Sequence, residues 1–165
     1  MRKIVLIAHN LRSCHNVGSL LRTAEGLGLA NVILSGYTPY PEQKDDERLP
    51  HLRKKLHHQI QKTALGAEAA QSWQHYATIS EAFTILRGDG FTIAALEQTD
   101  TAIQLPSYIS PKKIALVVGR EVEGLEPEVL QACDLSLVIP MFGVKESFNV
   151  AQASAMALYH IRFQP

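Results

Sequence analysis

Short unbroken runs of branched apolar residues alternate along this chain with segments whose apolar positions recur at helical spacing. The first run, Lys3 to Ala8 (KIVLIA), is apolar on successive residues and predicts a strand buried on both faces. From Val17 to Leu27, the residues Val17, Leu20, Leu21, Ala24 and Leu27 fall on one helical face. Asn16 stands just before them as an N-cap, and Gly26 and Gly28 stand where a helix would end. Asn31 to Leu34 returns to strand character, so the chain opens strand–helix–strand. Residues 36–62 break this rhythm with Pro39, Pro41 and Pro50, a mixed charge cluster and the polar stretch HLRKKLHHQIQK, which together predict a long excursion. The pattern then resumes with a helix over Ser80 to Arg87, a strand over Phe91 to Leu96 and a strand over Lys113 to Val118 (KIALVV). A short helix over Pro127 to Ala132 and a strand over Leu135 to Ile139 follow. The last element is a helix over Asn149 to Phe163, with Val150, Ala153, Ala157 and Ile161 on one face. Strands that are apolar throughout, alternating with helices, predict a parallel α/β sheet covered by helices on both faces.

A length of 165 residues fits one domain, and no internal repeat divides it. The reading is therefore a single domain over residues 1–165, with no residues left for an appended domain. Hydrophobic residues make up 46% of the chain and charged residues 19%, a balance that suits a packed core and argues against disorder. The apolar run near the start ends at Ala8, too short for a secretory signal, and no run approaches a membrane span. Cys14 and Cys133 have neither metal-type spacing nor the pattern of a disulfide framework. Two reduced thiols in a cytoplasmic protein are expected.

The net charge of zero hides an asymmetry: residues 1–62 carry ten Lys/Arg against five Asp/Glu, and the remainder carries the opposite excess. Nucleic acid responds to a local patch rather than to the sum, so a neutral total does not exclude it. The patch nearest to that description is 51–62, where Arg53, Lys54, Lys55 and Lys62 occur with three histidines and no acid. Those residues form either a solvated face or an RNA contact surface. His51, His57 and His58 lack a zinc site's spacing with cysteine, and no metal is expected.

In parallel α/β sheets, ligands bind beyond the carboxyl ends of the strands. The polar clusters of this chain fall there: NLRSCHNVGSLLRTA after the first strand, GREVEGLEP after KIALVV, and IPMFGVKESFNVAQASA at the end of the last strand. Neither the G-x-G-x-x-G dinucleotide fingerprint nor the G-x-x-x-x-G-K-[ST] phosphate loop is present. Nicotinamide and nucleoside triphosphate binding in their usual forms are set aside.

Read as patterns, the three clusters are N-x-x-S-x-x-N-x-G-x-x-x-R-T-A, G-x-E-x-x-G-L and I-P-M-x-G-x-x-x-S-x-N-V-A-x-A. In this order, each after a strand, they resemble the three motifs of the SpoU/TrmH-type RNA methyltransferases of the SPOUT superfamily. The segment KTALGAE, Lys62 to Glu68, resembles the region preceding the knot in that family. The resemblance implies a SPOUT fold with a deep trefoil knot near the C-terminus and a homodimer. It also implies S-adenosylmethionine-dependent methylation of an RNA ribose 2′-oxygen. Transfer RNA is the favoured substrate, ribosomal RNA the alternative, and a SPOUT-fold RNA-binding protein without activity the reading of a different class.

The resemblance also distributes roles. Arg22, Asn16, Glu121, Ser147 and Asn149 would form the catalytic set, and Leu96, Gly119, Ile139, Met141, Ser147 and Asn149 the cofactor site. Asn10, Ser13, Arg53, Lys54 and Lys55 are the candidate RNA contacts. Arginine stays protonated in proteins, so Arg22 serves either as a base in an unusual environment or as an electrostatic stabiliser of a developing alkoxide. Asn149 also suits the N-cap or first turn of the last helix, whose free N–H groups would favour a carboxylate.

Overall fold

The structure is a computed structural model that describes residues 1–165. Seven strands form one parallel sheet: β1 (Lys3–His9), β2 (Asn31–Ser35), β3 (Trp73–Tyr76), β4 (Thr92–Leu96), β5 (Ile103–Gln104), β6 (Lys113–Val118) and β7 (Leu135–Val138). Their order across the sheet is β3-β2-β1-β6-β4-β7-β5. The helices are α1 (Cys14–Gly26), α2 (Pro50–Ala64), α3 (Ala67–Ala70), α4 (Ile79–Gly88), α5 (Pro127–Ala132) and α6 (Val150–Phe163), with a 3-10 turn over Leu105–Ser107.

The period of two along each strand divides the core between the two faces. Ile4, Leu6 and Ala8 of β1 point into a cluster with Leu20 and Leu21 of α1, Ile60 of α2, and Leu158 and Ile161 of α6. Val5 and Ile7 point the other way, against Phe83 and Leu86 of α4 and Val129 of α5. Residues 114–118 of β6 alternate in the same manner. The two-faced sheet expected from the apolar runs is the sheet observed.

Four local readings are corrected. Asn16 does not cap the first helix; Ser13 does, with extended backbone and its hydroxyl accepting from Asn16 N at 3.2 Å, and the helix begins at Cys14. The excursion over 36–62 is only in part irregular, because its second half is the helix α2. That helix lay hidden because Ile60 and Ala64 are its only buried residues. The strands β3 and β5 were also not anticipated; they are four and two residues long and lie at the sheet's two edges. The last strand ends at Val138 rather than Ile139.

The α1–α2 contact rests on Gly18, where a Cβ would lie 2.2 Å from Thr63 Oγ1 and 2.3 Å from the Ile60 carbonyl oxygen. Thr63, within KTALGAE, donates to the His15 carbonyl at 2.8 Å. This segment therefore docks α2 on the first turn of α1. No helix is long and apolar enough to cross a membrane.

Candidate active site

The strands β1, β6, β4 and β7 are neighbours, so the loops leaving their carboxyl ends converge at one edge of the sheet. Between the loops after β4, β6 and β7 lies a cleft of about 280 Å³. Leu96, Gly119, Ile139, Met141, Ser147 and Asn149 all line it, although they come from stretches far apart in the chain. Apolar side chains, among them Val118, Leu137 and Val150, form its walls. Glu97, Glu121, Glu123 and Glu146 are among its lining residues, with Arg120 the one basic residue. This charge balance repels a polyphosphate and suits a cationic, partly apolar ligand such as a sulfonium nucleoside.

Three of the residues singled out for catalysis touch one another. Asn16 Nδ2 donates to Glu121 Oε1 at 2.9 Å, and Asn149 Nδ2 donates to Asn16 Oδ1 at 3.2 Å. One hydrogen-bonded line thus joins the loops after β1, β6 and β7. Asn149 is also the N-cap of α6, with its Oδ1 accepting from Ala151 N at 2.9 Å. Its amide both fixes the helix start and reaches Asn16, so the capping and site readings hold together.

Arg22 stands apart. It is exposed on α1 and does not line the cleft. Six residues beyond Asn16 on a helix is a rotation of roughly 120° away from Asn16's face. Within one chain the guanidinium does not join the Asn16–Glu121–Asn149 line.

The RNA candidates divide as well. Lys54 and Lys55 are exposed. Arg53 is engaged within the chain, its Nη1 donating to the Asp46 carbonyl at 2.7 Å and its Nε 2.8 Å from Glu42 Oε1. Ser13 is occupied as the α1 cap. Asn10, in the left-handed conformation at φ 54°, donates Nδ2 to Glu126 Oε1 at 2.9 Å and accepts from Tyr37 N at 3.1 Å.

A side chain at Gly119 is excluded by the protein's own chain. A Cβ there would meet Leu125 Cγ at 2.8 Å and the Gly124 carbonyl carbon at 2.9 Å. The glycine admits the protein's own loop, which folds back over it; room for a ligand is not what requires it.

Sequence reasoning missed the residues that brace these loops. Glu97, directly after β4, accepts from Leu125 N at 3.1 Å and Gln98 N at 3.0 Å, while Gln98 Nε2 donates to the Glu146 carbonyl at 2.9 Å. The exit of β4 is thereby tied to both neighbouring loops. Below them, His9 is 7% exposed, with Nδ1 2.9 Å from Ser35 Oγ and Nε2 3.1 Å from Asn10 Nδ2. Because Asn10 Nδ2 can only donate, His9 Nε2 accepts and the ring proton sits on Nδ1. Burial lowers the His9 pKa, the Glu126 charge opposes this, and Arg120 adds to it. Burial by itself would raise Glu126, but the Asn10 hydrogen bond, its own backbone N–H, His9 and Arg120 together hold it below the usual carboxylate range. Ser35, His9 and Glu126 imitate a nucleophilic triad in order only, since Ser35 is fully buried and no substrate can reach it.

The whole of this arrangement lies within a match to the SpoU rRNA Methylase family that spans residues 3–159, and the chain belongs to that family. A relative from Escherichia coli K12 named tRNA (guanosine(18)-2′-O)-methyltransferase is 28% identical over 91% of this chain. One of the same name from Aquifex aeolicus is 25% identical over 99%. The chain spans 58% of the Escherichia coli relative's length and 70% of the Aquifex aeolicus relative's. Among solved structures, an rRNA methyltransferase from Sinorhizobium meliloti superposes with a TM-score of 0.78 at 20% identity, covering 96% of this chain and 54% of that one. The A. aeolicus TrmH/SpoU tRNA modifying enzyme gives the same score at 21% identity, covering 98% and 75%. These superpositions establish the shared fold.

Proposed function

We propose that this chain transfers a methyl group from S-adenosylmethionine to a ribose 2′-oxygen of RNA, with transfer RNA as the preferred substrate. The observation that carries the reading is the Asn16–Glu121–Asn149 line at the mouth of a cleft lined by Leu96, Gly119, Ile139 and Met141. The names of the relatives from Escherichia coli and Aquifex aeolicus support the acceptor.

S-adenosylmethionine, when bound, supplies an electrophilic methyl carbon. The task left to the protein is orientation and charge. Leu96, Ile139 and Met141 offer apolar surface for an adenine, and the backbone around Gly119 offers polar groups for its edge. Asn149 and Ser147 stand at the start of α6, whose free N–H groups suit a carboxylate. Glu121 holds the Asn16 amide in place. Arg22 stabilises the negative charge that builds on the acceptor oxygen, whose proton leaves to solvent or phosphate. A protonated guanidinium suits that task better than proton abstraction.

The distance of Arg22 from the polar line in its own chain supports a site completed by a second copy, and the working unit is a homodimer. The outward side of α6 supports this too: Met156, Tyr159 and Phe163 are exposed there, and the last two rings lie 4.6 Å apart. The same reading includes a C-terminal trefoil knot, as the resemblance of the three motifs implies. Calorimetric titration with S-adenosylmethionine, alongside a solution mass, tests the proposal. Saturable binding by a species of twice the chain mass is expected; no binding would reject the cofactor, and an active monomer would reject the dimer.

A further inference from the structure

The loop after β1 and the loop after β6 run past each other in opposite directions and meet at three side-chain contacts. Asn10 pairs with Glu126 at 2.9 Å, Arg12 with Glu123 at 3.5 Å, and Asn16 with Glu121 at 2.9 Å. As the first number rises the second falls, so the contacts are rungs of one antiparallel ladder. Every donor stands between the end of β1 and the first turn of α1, and every carboxylate between β6 and α5.

The rungs are unequal. The inner one is half-buried and braced by neighbours: Asn10 Nδ2 also faces His9 Nε2, and Arg120 lies 3.7 Å from Glu126. The outer one is part of the polar line, since Asn16 also accepts from Asn149. The middle rung has no such support. The Arg12 side chain is 70% exposed, that of Glu123 is 45% exposed, and one 3.5 Å contact engages one of the guanidinium's nitrogens. An exposed pair of this kind contributes about 0–1 kcal/mol, so stability does not explain it. Glu123 lines the cleft, so the pair stands beside the site, and most of the guanidinium's donors are unused.

We propose that Arg12 binds a backbone phosphate of the RNA acceptor strand, and that Glu123 is an in-chain competitor which this phosphate displaces. This rests on the RNA-methylating reading above. Phosphate offers the planar fork of arginine two charge-assisted hydrogen bonds, where Glu123 offers one long contact. RNA binding then exchanges a weak ion pair for a stronger one, and the rungs on either side keep the loop in place.

The test measures transfer RNA binding by fluorescence anisotropy across a series of KCl concentrations, for the full chain and four variants. Arg12→Gln should weaken binding about fivefold and lower the log–log salt slope by about 0.7–0.9. Its affinity for S-adenosylmethionine should stay that of the wild type. Glu123→Gln should tighten RNA binding about threefold, because the competitor is gone. That gain should vanish when Arg12→Gln is also present. Glu128→Gln, an equal change of charge at an exposed position on α5, should give a much smaller effect. An unchanged salt slope in Arg12→Gln would overturn the proposal. So would a gain from Glu123→Gln that persists without Arg12. Wild-type protein that binds no RNA would reject the functional reading itself, whereas wild-type binding with inert Arg12 variants rejects this inference alone.

Discussion

In the excursion from Gly36 to Leu49 the polar groups around Arg48 are closed on one another. Arg48 binds Asp46 through Nε at 2.9 Å, donates to the carbonyls of Tyr40 and Pro41, and lies 3.6 Å over the Tyr40 ring, which stacks on His75 at 4.0 Å. The Arg48 guanidinium holds the Asp46 carboxyl far below its usual range against the cost of burial. At Val122 and in the loop after β7 the opposite holds. Val122, Phe142 and Val144 are 93%, 97% and 99% exposed, and Ser147 has no partner among the hydrogen bonds. Both regions lack regular structure, yet one is finished within the chain and the other is left open. A loop whose donors and apolar side chains are unspent is available to ligands and partners; a closed loop carries an element, here α2, into position.

The contrast breaks first if Arg48 proves dispensable. Arg48→Ala leaves the Asp46 carboxylate buried without its partner and should destabilise the fold by about 3–5 kcal/mol, read by chemical denaturation. A change within experimental scatter would mean that the excursion is as loose as the loops around the cleft.

Arg22→Ala should do the reverse. The rate of methyl transfer should fall by about 10²–10³, the loss typical of a missing oxyanion stabiliser, with the unfolding midpoint unchanged. Affinity for S-adenosylmethionine should stay within a few fold. Arg22→Lys should fail equally, since a compact ammonium does not reproduce the planar fork. Cofactor binding that falls in step with transfer would place Arg22 on the wrong side of the reaction.

His9 sits between the two regions and gives a smaller, pH-dependent effect. Its folded-state pKa is lowered by burial, so the unfolded chain takes up the proton first as pH falls. The contribution is intact above about 6.5, the unfolded value, and is lost as the solution becomes more acidic. Stability measured from neutral pH to pH values near 5 should therefore decline by no more than about 1.4 kcal/mol per pH unit from this group, the limit for one proton. His9→Gln should flatten that part of the profile. An unaltered slope would show that the imidazole takes up its proton alike in the folded and unfolded chain.

The smallest effect belongs to α2. Neutralising Lys54 and Lys55 should lower the RNA-binding salt slope by about 0.7–0.9 for each RNA phosphate that goes without its lysine, while cofactor affinity stays the same. Arg53 is left out of that test because Glu42 and Asp46 already hold it.

How far the sequence reached follows the range of the interactions involved. KIVLIA and KIALVV were legible because a strand buried on both faces must be apolar at every position. Helix α2 was not, because two buried residues leave no periodic stripe to detect. The N-cap was misplaced by three residues because Ser13 and Asn16 are both competent caps, and Cys14 and His15 carry no pattern to choose between them. Apart from Leu96, which belongs to none of the three motifs, the cleft residues singled out were reachable through their motifs. The bracing roles of Glu97 and Glu126 were not: their partners lie 28 and 116 residues away, and nothing in the local sequence points to them.

The central claim concerns the atom that receives the methyl group. A 2′-O-methyl ribose lacks the hydroxyl that attacks the adjacent phosphodiester in alkali, whereas a methylated base leaves that hydroxyl free. Transfer RNA methylated by this protein with a radioactive methyl donor, then digested in mild alkali, separates the two. Label recovered in alkali-resistant dinucleotides is the result expected. Label found only in mononucleotides would contradict ribose methylation, whatever the affinity for S-adenosylmethionine.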